Sequence, residues 1–252
     1  GCYIVFLPML SEDYLPLILR ALDEDLRDTG DVTSKAIFDS QITSMRLVSN
    51  DTGILAGAEL FESTFELVDP ESSVKFRKRD GDKLTSGDIV AEVHGKTLSI
   101  LTAERTAINF LGYLSGIASD AKRYVDAAAG KAKILDTRKT IPGYRVLAKY
   151  AVKVGGASNH RQGLHDMVLI KDNHIDEAGS IGDAVRAVRS MWKDTYRIEV
   201  ECRTVEEVKE ALSCQVDVIM LDNMSDQLMR QCAALGKAEY EASGNMTLDR
   251  IP

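Results

Sequence analysis

Cysteine is scarce in this chain: four in 252 residues, Cys2, Cys202, Cys214 and Cys232, with no Cys-x-x-Cys pair among them. That scarcity and spacing argue against a structural zinc site or a disulfide framework, and fit reduced thiols in a cytoplasmic protein. Long apolar runs are missing too. Nothing approaches the ~20 residues that cross a bilayer. The apolar opening "CYIVFLPML" lacks the basic n-region and full h-region of a signal peptide, so no membrane partner is expected. Positive charge is in deficit, and a net charge of −8 argues against nucleic acid or an anionic membrane as the main partner. No internal repeat or low-complexity stretch interrupts the chain.

What remains is enough for a sizeable core. The 252 residues are 44% hydrophobic, which suits one large α/β domain or a barrel with a smaller companion. The charge is unevenly distributed. Between Lys131 and His174 six Lys and three Arg face three Asp, a local net of +6, which leaves −14 on the other 208 residues. A basic island in an acidic chain points to a small anionic ligand rather than to a polyanion track.

The first hundred residues read as mixed α and β with antiparallel strands. "SEDYLPLILRALDEDL" predicts a helix with Leu15, Ile18, Leu19 and Leu22 on one face. "GDVTS" at 30–34 reads as loop. "SMRLVSNDTGILAGAELF" gives two extended runs joined at Asp51-Thr52-Gly53 as a hairpin, and "RDGDKLTSGDIVAEVHG" adds short strands between Gly-Asp turns. A helix follows from about Thr102, its stripe being Ala103, Ala107, Phe110, Leu111, Leu114 and Ile117, with Glu104, Arg105 and Asn109 off it. The texture then changes, which sets the expected domains at 1–110 and 111–252.

The second half alternates strand and helix. "AKILDT" reads as a strand. The helix after it opens at Pro142, buries Val146, Leu147, Tyr150, Ala151 and Val154, and is closed by Gly155-Gly156. Arg145, Lys149 and Lys153 read as its solvated basic face. Next come the strand "DMVLIK", a helix with Ile181, Val185, Val188 and Trp192 inward, and the strand "YRIEVE". A helix with capping-box spacing from Thr204 to Glu207 follows, then the strand "VDVIMLD", a helix from near Ser225 and the strand "AEYEAS". Repeated βα units with buried, β-branched strands predict a parallel sheet, most simply an α/β barrel.

In a barrel the reactive groups gather at the C-terminal strand ends. Those ends carry Thr137, Arg138 and Lys139, then Lys171 to His174 with Asn159-His160-Arg161 before the strand. Glu199 and Glu201 follow on one strand face, then Asp222-Asn223 and Ser243-Gly244-Asn245. One part of this rim is cationic and the other carboxylate. That polarity suits a site gripping an anionic substrate on one side and holding Mg²⁺ or sugar hydroxyls on the other. Ser243-Gly244-Asn245 suits a phosphate, through backbone N–H groups. Single charges at strand ends are ordinarily surface charges, and His165 reads equally well as a packed or surface histidine. Lys171 is harder to dismiss, because a lysine leaving an apolar strand must find a partner.

Several long stretches, "ERTAINFLGYLSGIAS", "DTRKTIPGYRVLAKYAVKVGG", "NHRQGLHDMVLIKDNHI", "IEVE" and "VIMLDNMS", resemble the quinolinate phosphoribosyltransferase family, the carboxylating nicotinate-nucleotide pyrophosphorylases. A molybdenum-transport-associated family shares "DTRKT", but "LIKDNHI" and the triple Lys139, Arg161, Lys171 favour the quinolinate enzymes. The resemblance implies an incomplete α/β (TIM-like) barrel with an N-terminal α/β sandwich domain. It implies a cytoplasmic homodimer, or an assembly of dimers, acting on quinolinate and phosphoribosyl pyrophosphate with Mg²⁺. By the same resemblance Thr137, Arg138, His160, Arg161 and Lys171 bind quinolinate, and Lys139 lies near the ribose and phosphates. Arg105 reaches the neighbouring subunit's site, and Glu201 and Asp222 serve the ribose and metal side. Ser243, Gly244 and Asn245 form part of the 5′-phosphate site. Relatives continue through another strand and turn, so the barrel domain is expected to be truncated at Pro252, leaving the activity of residues 1–252 alone an open question. The competing readings are a Schiff-base lyase using Lys171 and an inactive anion-binding fragment.

Overall fold

A computed structural model describes residues 11–251, which divide into two compact units, one ending at His160 and the other beginning at Arg161. Cys2 and the apolar opening lie outside the described residues.

In the first unit, α1 (Ser11–Leu26) buries Tyr14, Ile18 and Leu22, whereas Leu19, expected inward, is 53% exposed. The stretch read as loop is helical. Asp31 caps α2 (Val32–Ile37) by accepting from the backbone N–H groups of Thr33 and Ser34 at 3.1 and 2.9 Å, which a polar "GDVTS" does not advertise as a helix start. The expected hairpin at Asp51 does not form either. β1 (Ile42–Val48) and β2 (Gly53–Ile54) never pair with each other. Beyond them lie α3 (Ala58–Val68), β3 (Ser73–Phe76), β4 (Lys83–Leu84) and β5 (Ile89–Lys96). β1 and β3 flank β5 in an antiparallel sheet, and β2 pairs with β4. Pairing is decided by which inward faces can share a core, and Met45 on β1 stands opposite Val93 on β5, both on the covered side.

α4 (Thr97–Ala128) begins five residues before the expected Thr102 and runs unbroken through 103–115, the region where the texture changes. One of its faces packs with α3 against the sheet through Phe61, Phe65, Ala103 and Leu111, making an α/β sandwich. Another packs on α1 through Phe110 and Leu114, each such burial contributing about 1.5–3 kcal/mol. Two serines on α4 satisfy the β2 segment, Ser119 accepting from Ile54 N–H at 2.8 Å and Ser115 from Ala56 N–H at 3.0 Å. Among the described residues the segment "AKILDT" forms no strand ladder, only a single parallel bridge from Leu135 to Ser158. α5 (Arg145–Val154) opens at Arg145, not Pro142, because residues 141–144 turn through Gly143 at positive φ. Leu147, Ala151 and Val154 are buried as expected, but Val146 is exposed. Gly155 closes α5 where α4 passes: a Cβ there would lie 2.3 Å from the Ala118 carbonyl oxygen.

The second unit is a parallel sheet, β6 (Val168–Ile170), β7 (Ile198–Cys202), β8 (Val218–Asp222) and β9 (Glu239–Ser243), in sequential order. The connecting helices are α6 (Asp172–Ala178), absent from the sequence expectation, α7 (Ile181–Trp192), α8 (Val205–Ser213) and α9 (Asp226–Ala233). Sequential parallel strands with helical crossovers are the wall of a TIM-like α/β barrel. Its core joins Val200, Ile219 and Leu221 to Ile181, Val185, Val208 and Cys232. Trp192 is not inward as expected; it is 44% exposed and packs edge-on against Tyr196. Thr204 caps α8 by accepting from Glu207 N–H at 3.1 Å, as its spacing predicts. Cys202, Cys214 and Cys232 are free thiols, and burial pushes Cys202 up to about 12. Among the described residues no helix is long and apolar enough to cross a membrane.

Candidate active site

In the first unit the extended segment 134–136 delivers Thr137, Arg138 and Lys139 to the surface. It is held in place by Asp136 N–H to the Ser158 carbonyl at 3.1 Å and Ser158 N–H to the Ile134 carbonyl at 2.8 Å. The loop then folds on itself. Lys139 N–H donates to Thr137 Oγ1 at 3.0 Å, Thr140 N–H to the Arg138 carbonyl at 2.9 Å, and Arg145 Nε to Thr140 Oγ1 at 3.3 Å. Lys139 is exposed and Arg138 half-buried. The Arg138 Nε–H is itself buried and has no acceptor among the described residues. A buried guanidinium donor in that condition is an unmet demand for an acceptor.

His160, at the end of the same unit, is tied to the root of this loop: its N–H donates to Asp136 Oδ1 at 2.8 Å. Asp136 also pairs with Lys149, which the helical pattern assigned to solvent and which is 1% exposed. The assignment failed because α5 is covered on both sides, its apolar stripe by the hydrophobic core and its opposite face by the 136 and 159–160 segments. Arg105 stands apart, exposed on α4 beside a cleft of about 540 Å³. Phe110, Tyr113, Ile141 and Tyr144 line that cleft, and Thr137, Arg138, Lys139 and His160 do not. Tyr144 stacks on Phe110, and burial, with Tyr113 adding to it, pushes its phenol up to about 12.

The second unit carries the remaining expected residues. Arg161 is 9% exposed, and its Nη1 donates to the Met167 carbonyl at 3.4 Å. The turn after it is fixed by Asp166, whose carboxylate accepts from Gln162 and Gly163 N–H at 2.7 and 3.0 Å. Burial works against the charge of Asp166, but those backbone donors outweigh it and hold the carboxyl below its usual range. Lys171 leaves the end of β6 as the N-cap of α6, and its Nζ lies 3.3 Å from Glu201 Oε2. The lysine expected to need a partner has one. His174 Nδ1 accepts from Lys171 N–H at 3.0 Å, a capping role, and His165 is exposed. Glu199 and Glu201 share a face of β7, Glu199 almost fully buried and Glu201 half-buried.

Asp222 and Ser243 are register partners at the ends of β8 and β9, so their two loops run side by side. Asn223 N–H donates to the Ser243 carbonyl at 2.9 Å, Asn223 Nδ2 to Asp222 Oδ2 at 2.7 Å, and Asn245 Nδ2 to Asn223 Oδ1 at 3.0 Å. Asn223, Gly244 and Asn245 all adopt positive φ, and a Cβ on Gly244 would lie 2.2 Å from Asn223 Oδ1. A cleft of about 360 Å³ opens here, lined by Gly244, Asn245, Asn223 and the Ser225 cap of α9. Arg250, which the sequence reading passed over, braces it by donating to the Met224 and Asn245 carbonyls at 2.9 and 3.1 Å and to Asp226 at 2.8 Å. Only its fold in the 3₁₀ turn Leu248–Arg250 brings it there. Glu201 and Asp222 are hard oxygen donors at neighbouring strand ends, a set that suits Mg²⁺.

Comparison with known proteins adds a second line of observation. The family model for the quinolinate phosphoribosyl transferase N-terminal domain matches residues 31–115, and that for the C-terminal domain residues 117–252. A probable carboxylating nicotinate-nucleotide pyrophosphorylase of Bacillus subtilis is 43% identical over 229 residues, covering 89% of this chain and 78% of the relative. The chloroplastic carboxylating enzyme of Arabidopsis thaliana is 42% identical over 261 residues, covering 95% and 74%. Among solved structures, NadC from Streptococcus pyogenes superposes with a TM-score of 0.93 at 39% identity, covering 97% of this chain and 88% of that one. The nicotinate-nucleotide pyrophosphorylase of Francisella tularensis gives 0.92 at 34%, covering 97% and 87%.

Proposed function

The chain belongs to the quinolinate phosphoribosyltransferase family, and from that premise we propose how its own residues carry out the reaction. It is a pentosyltransferase of de novo NAD biosynthesis. It joins quinolinate to the phosphoribosyl group of phosphoribosyl pyrophosphate and yields nicotinate mononucleotide, pyrophosphate and CO₂. The observation that supports the site assignment is Arg138, whose buried Nε–H lacks an acceptor among the described residues, in a loop it shares with the exposed Lys139.

Quinolinate is a dianion with adjacent carboxylates, and such a pair leaves water only for several fixed cations and donors. Thr137, Arg138, His160, Arg161 and Lys171 are assigned to it by the family resemblance. Lys139 is assigned to the ribose and phosphates. The ring nitrogen attacks the anomeric carbon as the C–O bond to pyrophosphate breaks, through a transition state with oxocarbenium character. Orientation and electrostatics supply most of the acceleration. The positive charge of the quaternised nitrogen then stabilises the carbanion left on the adjacent carbon when the 2-carboxylate departs as CO₂, and a proton takes the carboxylate's place on the ring. No nucleophilic side chain is needed. Glu201 faces the cationic sugar; with Asp222 it would hold Mg²⁺, which when bound neutralises the departing pyrophosphate. Ser243, Gly244 and Asn245 are assigned to the 5′-phosphate, where the α9 N-terminus favours an anion. The ion pair of Lys171 with Glu201 gives that lysine a partner and offers no support for a Schiff-base role. The reduced thiols suit work in the cytoplasm.

CO₂ release from carboxyl-labelled quinolinate tests this reading. Release should require both phosphoribosyl pyrophosphate and Mg²⁺, and should fall by about 100-fold or more in Lys139→Ala. Release without phosphoribosyl pyrophosphate, or trapping of substrate on Lys171 by borohydride, would refute it.

A further inference from the structure

We propose that the buried Asp136–Lys149 ion pair is a positioning device, fixing the cationic strand mouth and His160 in one arrangement before quinolinate arrives. The inference rests on the assignment of Arg138 and His160 to quinolinate.

The two side chains are nearly sealed from solvent, Lys149 at 1% and Asp136 at 8% exposure. Their partners are all backbone or side chain of residues that lead into the site. Asp136 directly precedes Thr137 and Arg138. Its Oδ1 accepts from both the Lys149 ammonium and the His160 N–H, the latter at 2.8 Å. Lys149 Nζ also donates to the His160 carbonyl at 3.1 Å. A single ion pair therefore holds both backbone polar groups of His160, the N–H through the acid and the carbonyl through the base. With its side-chain amide turned so that the nitrogen faces the pair, the orientation in which both its groups find partners, Asn159 donates to Asp136 Oδ2 at 3.1 Å and to the Lys149 carbonyl at 3.0 Å. The acid, the helix bearing the base and the 159–160 segment are thus joined at a point one residue from the strand mouth.

Helix packing does not explain the lysine. Leu147, Ala151 and Val154 form the apolar face of α5, and Lys149 projects from the opposite side. Stability does not explain it well either, since apolar residues of similar volume commonly replace buried ion pairs with no loss. What the pair supplies that apolar side chains cannot is direction. It specifies where a backbone N–H, a backbone carbonyl and the start of the Thr137–Lys139 loop lie, in the way that second-layer contacts fix the groups that touch substrate.

The test uses the full chain with two variants, Lys149→Met and the apolar pair Asp136→Leu/Lys149→Met, the second designed to fold without a stranded charge. For each, circular dichroism and the melting temperature report folding, and kinetics report kcat and the KM of each substrate. Positioning predicts that the folded double variant raises the quinolinate KM by at least about 10-fold, and the phosphoribosyl pyrophosphate KM, which Lys139 alone on this loop serves, by clearly less. A folded double variant with the quinolinate KM unchanged overturns the proposal, and so does one in which the two KM values rise equally. If neither variant folds, hydrogen exchange on the wild-type chain without substrate decides. The His160 amide should exchange at least about 100-fold more slowly than exposed loop amides, and exchange at the loop rate overturns the proposal. Failure of the wild-type chain to bind quinolinate at all would bring down the substrate assignment and this inference together; binding with an unaffected double variant would bring down only the inference.

Discussion

Lys149 shows how far a single residue can depart from the periodicity around it. It projects about 200° around α5 from Leu147, an angle that ordinarily means water. Periodicity reports which face is apolar but not whether the other face is covered, and here the strand mouth covers it. Asp69 is a second residue whose role depends on its surroundings. Buried at the end of α3, it accepts from Ser99 Oγ at 2.7 Å and from Glu71 N–H at 3.0 Å, and has Lys96 at 3.8 Å. The Ser99 hydroxyl foremost, then the Glu71 N–H, hold its carboxyl below the usual range. A carboxyl depressed on folding stabilises the protein above its unfolded pKa of about 4, and that contribution disappears as pH falls through the folded value. Asp69→Asn should therefore melt below wild type at neutral pH, and the difference should close as pH falls below about 4. Melting curves over that range check it, and a gap independent of pH would count against the carboxylate as its source.

Among the elements, those with an uninterrupted apolar stripe were legible and those fixed by long-range pairing were not. α1, α7 and α8 and the strands β6 to β9 form where expected, apart from the exposed Leu19 and Trp192, because each buries a face that its own sequence displays. β1 and β2 were read as a hairpin because they are neighbours in sequence, yet each pairs with a strand from further along the chain. The loop pair 222–226 and 243–245 belongs to this scale as well. Its left-handed residues and the contact of Gly244 with Asn223 leave no room for a side chain. Gly244→Ala should destabilise the protein by about 1–3 kcal/mol and raise the KM for phosphoribosyl pyrophosphate more than that for quinolinate. Urea unfolding and steady-state kinetics would show this, and a neutral substitution would mean that the loops are not locked together.

At the scale of the whole molecule, the expectation that remains is assembly. Arg105 is exposed on α4 at the rim of an aromatic cleft lined by none of the strand-mouth cations. A residue so placed can serve a neighbouring copy of the chain. If it does, Arg105→Ala and Lys139→Ala chains, each inactive alone, should recover activity when mixed and allowed to exchange subunits. Random pairing gives half hybrid dimers with one intact site each, so recovery should approach about a quarter of wild type. No recovery, with subunit exchange verified by native mass spectrometry, would confine Arg105 to its own subunit.

The order of residues alone settled the α/β class, the parallel second half and the identities of the cations at the strand ends, since apolar periodicity and strand-end position are local properties of the chain. Only the tertiary structure decided what those cations meet. It paired Lys171 with Glu201, left the Arg138 Nε–H without an acceptor among the described residues, turned Lys149 from solvent to Asp136, and brought Arg250 to the loops of β8 and β9. Each of these depends on segments distant in sequence converging in space, and on the cost of burying a charge or a donor without a partner. Neither is written in the local pattern of residues.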